Sequence, residues 1–147
     1  MAKFIYRMQS ILDIKQKMEE QAKMEFAAAR MRLNEEEEKL QYLIERKENY
    51  EQQGRELLKD SLHVRSIMEN TDAIARMKEF VEQQQLVVRK VEKQLDVARE
   101  RLKEAMQESK THEKLKEKAF EAFVREENAK EAKEVDELTS YTYGQKK

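Results

Sequence analysis

Apolar residues recur at alternating intervals of three and four positions along most of this chain, and this spacing constrains the fold more than any other feature. The interval places the apolar side chains on one face of a helix. The first stripe comprises Ile5, Met8, Leu12, Ala22, Phe26, Ala29, Leu33, Leu40, Leu43, Tyr50 and Leu57. The second comprises Ile74, Met77, Val81, Val88, Val91, Leu95, Ala98, Leu102 and Ala105. Two long helices, each with one apolar stripe, are therefore predicted.

The composition agrees with long helices and argues against a thick globular core. Of the 147 residues, 41% are charged and 7% are aromatic, with no proline and two glycines. Globular domains average about 25% charged residues. Disorder is the competing interpretation of such a charged chain, but 30 Lys and Arg nearly balance 31 Asp and Glu, and the apolar spacing is regular. We therefore predict a thin, folded rod.

Charge and hydropathy narrow the expected location and partners. A net charge of −1 gives no electrostatic reason to bind nucleic acid. The N-terminal segment carries charges every few residues, unlike a signal peptide. No window approaches the roughly 20 apolar residues of a membrane span. We expect a cytoplasmic protein without direct membrane insertion, and the lack of cysteine decides little.

The stretch from Gly54 to Asp72 separates the two stripes and is predicted to contain a bend. Gly54 disfavours helix, Ser66 with Glu69 matches a capping box, and Asn70 to Asp72 are good N-caps. The predicted fold class is all-α, with two long helices forming an antiparallel coiled-coil hairpin and room for a short helix in the bend. One continuous helix in a parallel dimer is the alternative. The expected bounds are helix one over about 3–57, the bend over 58–71, helix two over 72–138 and a non-helical tail over 139–147.

A bend near residue 65 determines which positions face each other. Position i of the first helix should lie beside roughly 130 − i of the second, since both helices rise equally per residue. Phe4 then lies close to Phe120 and Phe123, which closes one end of the hairpin with an aromatic cluster. Residues beyond about 128 have no partner helix in this register.

Large apolar residues outside the two stripes concentrate at one height of the predicted hairpin. They are Ile44, Phe80, Leu86 and Val87. The same register places Leu43 beside Val87 and Tyr50 beside Phe80. An exposed apolar patch there would mark a protein-binding site. Local broadening of the seam by large side chains explains the same residues equally well.

Nothing in the sequence matches a catalytic, cofactor-binding or metal-binding motif. There is no cysteine, no phosphate-binding glycine loop and no histidine pair at metal spacing. His63 lies in the predicted bend and His112 on the second stripe, where a packed seam histidine is favoured over a ligand. The acidic run from Glu35 to Glu38 is favoured as a solvated helix face. We therefore expect no enzyme activity, no cofactor and no metal.

Three segments of the sequence resemble one known family. They are FIYRMQSILDIKQKMEEQAKMEFA near the start, EEKLQYLIERKENY in the middle and EKAFEAFVREENAKEAKEVDELTSYTYGQKK at the end. Together they resemble the FliJ family of the bacterial flagellar type III export apparatus, over nearly the whole chain. The resemblance implies an antiparallel coiled coil, similar to the central stalk of rotary ATPases, that serves protein export in flagellum biogenesis and motility.

The resemblance also implies partners and a place in the cell. The hairpin end with both termini would insert into the hexameric ring of the export ATPase FliI. The middle of the hairpin would contact the export gate protein FlhA. Family members also handle export chaperones. The chain would then be cytoplasmic and peripherally associated with the inner face of the cell membrane.

Carried over by position, the resemblance assigns two sets of partner-binding residues. The set for the export gate is Lys39, Leu43, Arg46, Tyr50, Phe80, Gln84, Val87 and Val91. The set for the ATPase ring, which rests equally on the predicted hairpin end, is Phe4, Tyr6, Arg7, Ile11, Phe123 and Arg125. Arg46 and Gln84 stand where an aromatic or apolar residue is expected, which leaves the detail of the gate contact open.

Two rival functions need no ATPase ring. One is a structural or tethering coiled coil, for which an obligate parallel dimer in light scattering would be evidence. The other is a holdase chaperone that grips unfolded chains with Phe4, Phe120 and Phe123. A holdase would suppress the aggregation of unrelated proteins.

Overall fold

Two long α-helices make up most of the chain. The computed structural model describes residues 2–59 and 63–145. Helix α1 spans Gln9–Leu57 and helix α2 spans Val64–Gln145, and no strand occurs among the described residues. The helices are antiparallel and pack against each other, as the cross-helix contacts below detail. The predicted all-α hairpin is confirmed, and the single continuous helix is wrong because the helical pattern ends at Leu57.

Helix α1 begins at Gln9 rather than near residue 3. A turn precedes it, in which the amide of Gln9 donates to the carbonyl of Tyr6 at 3.2 Å. The Phe4 ring packs against two phenylalanine rings of α2, so this segment follows the surface of α2 instead of extending α1. Ile5, which the spacing assigned to the apolar stripe, is consequently exposed.

Helix α2 begins inside the stretch predicted as the bend rather than near residue 72. The amide of Ile67 donates to the carbonyl of His63 at 3.1 Å, so the chain already turns as a helix there. The predicted N-cap Thr71 lies within α2, and its hydroxyl donates to the carbonyl of Ile67 at 2.9 Å. The sequence left room for a short helix in the bend. Residues 64–71 of that bend belong to α2, and residues 60–62 lie outside the described residues.

The C-terminal part of α2 extends well beyond its packed part. Tyr141 and Tyr143 are helical, whereas a non-helical tail was expected from residue 139. From Asn128 to Gly144 every side chain is exposed. The prediction that residues beyond about 128 have no partner helix therefore holds for the described part of the chain. We call residues 128–144 the α2 extension.

The chain divides into two compact units, each built from segments of both helices. One unit is Ala22–Leu102, which we call the middle unit. Its buried core consists of Ala22, Met77, Val81, Val88, Val91, Leu95 and Ala98. All seven lie on the predicted stripes, so the three-four spacing identified the core of this unit correctly.

Polar side chains also join the two helices of the middle unit. The Asn70 amide Nδ2 donates to the carbonyl of Tyr50 at 2.9 Å, close to Gly54. Arg32 Nη1 donates to Gln94 Oε1 at 3.2 Å. Gly54 was expected to weaken the helix near the bend, but it lies within α1. The absence of a side chain at this position leaves room for the Asn70 amide.

The other unit contains the segments Met1–Gln21 and Lys103–Lys147, and we call it the terminal unit. Within it, Leu12 and Ser109 are buried. Lys15 Nζ lies 2.8 Å from Glu108 Oε2. This hydrogen bond, together with the charge of Lys15, lowers the pKa of the Glu108 carboxyl below its usual value. The seam of this unit thus combines apolar packing with a polar contact between the helices.

The cross-helix register in the middle unit differs from the predicted one. Glu36 contacts Gln84, where the sequence arithmetic placed residue 94. Tyr50 contacts Asn70, where it placed residue 80. The difference arises because α1 ends at residue 57 and α2 begins at residue 64, so the helices reverse earlier than residue 65.

Candidate partner-binding surfaces

The α1 residues assigned to the export gate follow one face of the helix. Lys39, Leu43, Arg46 and Tyr50 are spaced by four, three and four positions. Leu43 and Tyr50 are half-buried, whereas Lys39 and Arg46 are exposed. This part of the candidate surface therefore has an apolar base with two cations above it.

The α2 residues assigned to the gate differ strongly in exposure. Phe80 is 49% exposed, Gln84 and Val87 are half-buried, and Val91 is 0% exposed. Val91 is thus a core residue that supports the surface from beneath. Phe80 offers the largest accessible apolar side chain of the four.

Gln84 is already occupied by a contact between the helices. Its Nε2 donates to the main-chain carbonyl of Glu36 at 3.0 Å and to the Glu36 carboxylate at 2.6 Å. Lys39 Nζ lies 3.4 Å from the other carboxylate oxygen. The Gln84 hydrogen bond and, more weakly, Lys39 lower the pKa of the Glu36 carboxyl against the opposing effect of desolvation. A polar link therefore stands where an apolar gate contact was expected.

The register brings together only part of the predicted gate set. Since Gln84 meets Glu36 and Asn70 meets Tyr50, Phe80 lies at the height of α1 residues between these two contacts. Along the hairpin, Phe80 and Gln84 therefore lie opposite the part of α1 around Lys39, and not opposite the part around Tyr50. The predicted pairing of Tyr50 with Phe80 is wrong, because Tyr50 contacts Asn70. By the same register, the α2 residue opposite Leu43 comes earlier in the chain than Val87.

An aromatic cluster forms in the terminal unit, as predicted. The Phe4 ring lies 5.3 Å from the Phe120 ring in an edge-on arrangement and 5.4 Å from the Phe123 ring. Tyr6 stacks on Phe4 at 6.4 Å. These centroid distances are typical of favourable aromatic pairs. Phe4, Tyr6 and Phe123 of the predicted ring-binding set are therefore brought together.

The remaining residues of the ring-binding set are accessible. Arg7 and Arg125 are exposed, and Ile11 is exposed on the first turn of α1. Beside the aromatic cluster is an open groove of about 510 Å³. Its lining is Phe4, Leu12, Gln16, Glu113, Lys116, Glu117 and Phe120. The terminal unit thus combines an apolar groove with exposed guanidinium groups.

Two exposed features were missed by the sequence analysis. Tyr42 is exposed and accepts a hydrogen bond of 3.4 Å from Arg46 Nη1. Its position four residues before Arg46 is a signal that the sequence contains. The second feature is a shallow groove of about 370 Å³ on the α2 extension. It is lined by Val135, Leu138, Thr139, Thr142 and Tyr143.

The described residues provide no metal site and no membrane span. No group of three or more metal-binding side chains occurs within residues 2–59 and 63–145. In the same part of the chain, neither helix is long and apolar enough to cross a membrane. His112 is half-buried one helical turn after the buried Ser109, and neither His112 Nδ1 nor Ser109 Oγ has a hydrogen-bond partner among the described residues.

Fold and surface together place the chain in the class of antiparallel two-helix coiled coils. The chain belongs to the FliJ family, because residues 4–147 match the family described as Flagellar FliJ protein. It is also 27% identical to the Flagellar FliJ protein of Bacillus subtilis (strain 168) over 134 residues, which is 91% of each chain. No solved structure gives a significant match. The chain is therefore a component of the flagellar export apparatus, in a family that is non-enzymatic.

Proposed function

We propose that this chain is the stalk of the flagellar export ATPase complex and couples the FliI ring to the export gate protein FlhA. The terminal unit binds inside the ring, and the middle unit contacts the gate. The two residue sets belong to different units: the ring set falls entirely in the terminal unit and the gate set entirely in the middle unit. Such a separation allows one chain to carry two partners.

The observation on which the proposal rests is the exposed C-terminal helix of the terminal unit. The α2 extension exposes every side chain from residue 128 to 144, including the apolar Val135 and Leu138. A helix whose apolar side chains are not covered by its own chain is suited to insertion between other proteins. The aromatic cluster around Phe4 and the exposed Arg7 and Arg125 lie in the same unit.

A stalk needs no catalytic group to affect an ATPase. It needs contacts of different strength with successive ring subunits, because only a difference in binding free energy shifts their conformational equilibrium. A hairpin with different side chains on each face meets this need. The same proposal includes peripheral association with the inner face of the cell membrane through the apparatus, and contact with export chaperones.

Two pairs of substitutions test whether the two partners bind to different units of the chain. Phe4→Ala with Arg7→Ala should reduce the stimulation of FliI ATP hydrolysis several-fold and spare FlhA binding. Leu43→Ala with Phe80→Ala should weaken FlhA binding and spare ATPase stimulation. Because Phe4 is packed, Arg7→Ala with Arg125→Ala serves as a second ring variant that changes only exposed side chains.

Helicity measured by circular dichroism is the control for folding. If folded variants of both sets impaired both partners equally, the assignment of separate surfaces would be wrong. If neither partner bound the wild-type chain, the stalk function itself would be wrong.

A further inference from the structure

Two exposed residues and one half-buried residue form a row on one face of α1, and one of them, Tyr42, lies outside the two sets that the family resemblance implies. Tyr42, Arg46 and Tyr50 follow each other at intervals of four, the spacing at which helical side chains touch. Arg46 Nη1 donates to the Tyr42 hydroxyl at 3.4 Å, and Arg46 Cζ lies 6.0 Å from the centre of the Tyr50 ring. The second distance is that of a cation–π contact. The two tyrosines thus hold the guanidinium in place.

The Arg46 guanidinium carries a positive charge that the described part of the chain leaves unpaired. No described carboxylate lies within 4.0 Å of it, whereas Lys39 pairs with Glu36 and Lys47 with Glu51. Guanidinium has five N–H donors in a planar fork, and the contact with Tyr42 uses one. The remaining donors can bind a carboxylate through two parallel hydrogen bonds.

Two aromatic rings flank the Arg46 guanidinium. Tyr42 is 60% exposed, so its ring can cover the aliphatic part of a bound side chain. A guanidinium that contacts two rings loses less conformational freedom on binding than one without neighbours. The row therefore offers one charged contact with apolar walls.

We propose that the Tyr42–Arg46–Tyr50 row binds an acidic segment of the export gate protein, with one carboxylate of that segment seated on Arg46. This inference rests on the proposed function and adds Tyr42 to the gate-binding surface. It also explains how a charged residue can stand where an aromatic one was expected: the neighbouring Tyr42 supplies the ring, and Arg46 supplies a charge that selects the partner.

Charge complementarity favours an acidic protein segment over a nucleic acid. Lys39 lies on the same face of α1, seven residues before Arg46, which is about 10 Å along the helix. Lys39 already pairs with Glu36, so Arg46 is the cation of this face that can take a carboxylate of the partner segment. A polyanion would also meet Glu45 and Glu48 beside Arg46, and the net charge of the chain is −1. Binding of a polyphosphate backbone needs many cations rather than one.

The test is the affinity of the purified cytoplasmic region of FlhA for the full chain and its variants, measured by isothermal titration calorimetry. Arg46→Gln should weaken binding about tenfold, the usual effect of losing a charged hydrogen bond. Arg46→Lys should restore only part of the affinity, because an ammonium group cannot form the planar fork. Binding to the wild type should weaken with added NaCl, and Arg46→Gln should reduce this salt dependence.

Arg55→Gln is the matched control. Arg55 is also an exposed arginine of α1 with hydrogen bonds only to a glutamine among the described residues, so the variant makes the same change of charge outside the row. It should bind FlhA like the wild type.

Each other result overturns the inference. If Arg46→Gln bound FlhA with wild-type affinity and salt dependence, the row would not be a carboxylate site, although the gate contact would stand. If the wild type did not bind FlhA, the proposed gate contact and the inference would both fail. If Arg46→Gln instead abolished binding of a single-stranded oligonucleotide and left FlhA binding intact, the row would serve a polyanion.

Discussion

The side-chain amide of Asn70 donates a hydrogen bond to the main-chain carbonyl of Tyr50, 2.9 Å away on the opposite helix. The contact is possible because residue 54, one turn further along α1, is glycine. A Cβ added at Gly54 would lie 2.5 Å from Asn70 Oδ1, closer than such atoms approach in proteins. The hydrogen bond and the glycine together fix the register near the reversal of the chain.

Gly54→Ala should therefore destabilise the hairpin. The Asn70 amide would have to move away from the new methyl group and break its hydrogen bond to the Tyr50 carbonyl. Leaving a part-buried polar group unpaired costs about 1–3 kcal/mol, which outweighs the gain of up to ~1 kcal/mol that alanine offers in a helix. The measurement is urea unfolding followed by circular dichroism. Gly144→Ala is the control, since nothing lies within 4 Å of its Cβ position. Adding Asn70→Ala to Gly54→Ala should recover stability; equal stability of Gly54→Ala and wild type would contradict this account.

Val91→Ala separates structural support from partner contact. Val91 is completely buried in the middle unit, so the substitution should lower the free energy of unfolding by about 2 kcal/mol. Phe80→Ala should change stability less, because half of its side chain is exposed, yet it should weaken FlhA binding more. Chemical unfolding and calorimetry on the same two proteins measure both effects. If Val91→Ala weakened FlhA binding more than Phe80→Ala did, Phe80 would not be part of the gate-binding surface.

Ser109→Ala should stabilise the terminal unit. Ser109 is 1% exposed, and its hydroxyl oxygen has no hydrogen-bond partner. Burying an unpaired hydroxyl costs about 1–3 kcal/mol, so its removal should raise the free energy of unfolding by about 1 kcal/mol. Thr111→Ala is a suitable comparison, because Thr111 is exposed and its hydroxyl donates to the carbonyl of Gln107. A loss of stability in Ser109→Ala would mean that the hydroxyl has a partner in solution.

Acid should weaken the polar links between the helices. The pKa values of Glu36 and Glu108 are lowered from 4.5 in the folded chain. The unfolded chain therefore binds protons more readily, and the contribution of each carboxylate is present above about pH 4.5 and lost as the pH falls through the lowered value. Glu36→Gln should make stability less dependent on pH below 4.5. The measurement is the free energy of unfolding of both proteins from pH 2 to 6. If the wild type and Glu36→Gln lost stability equally as the pH fell, the contact between residue 36 and Gln84 would not depend on the carboxylate charge.

The periodic apolar residues predicted the core of the middle unit because burial there depends on one repeated stripe. Features that depend on a single contact were not predictable in the same way. The later start of α1 follows from the packing of Phe4 on α2, and the register follows from where the bend is centred. The role of Gly54 was misjudged because intrinsic helix propensity describes an isolated helix, whereas the contact with Asn70 exists only in the hairpin. Tyr42 was missed because it lies beside the stripe, on a face that a two-helix seam does not bury.

In the proposed function, one chain holds the ATPase ring and the export gate at the same time. The most direct measurement is sedimentation velocity of the chain with FliI assembled as a hexamer and the cytoplasmic region of FlhA, each component carrying a different absorbing label. We expect a ternary complex in which all three labels sediment together, and which is lost with either surface variant. Mutually exclusive binding, with FlhA displacing the chain from FliI, would contradict a coupling stalk.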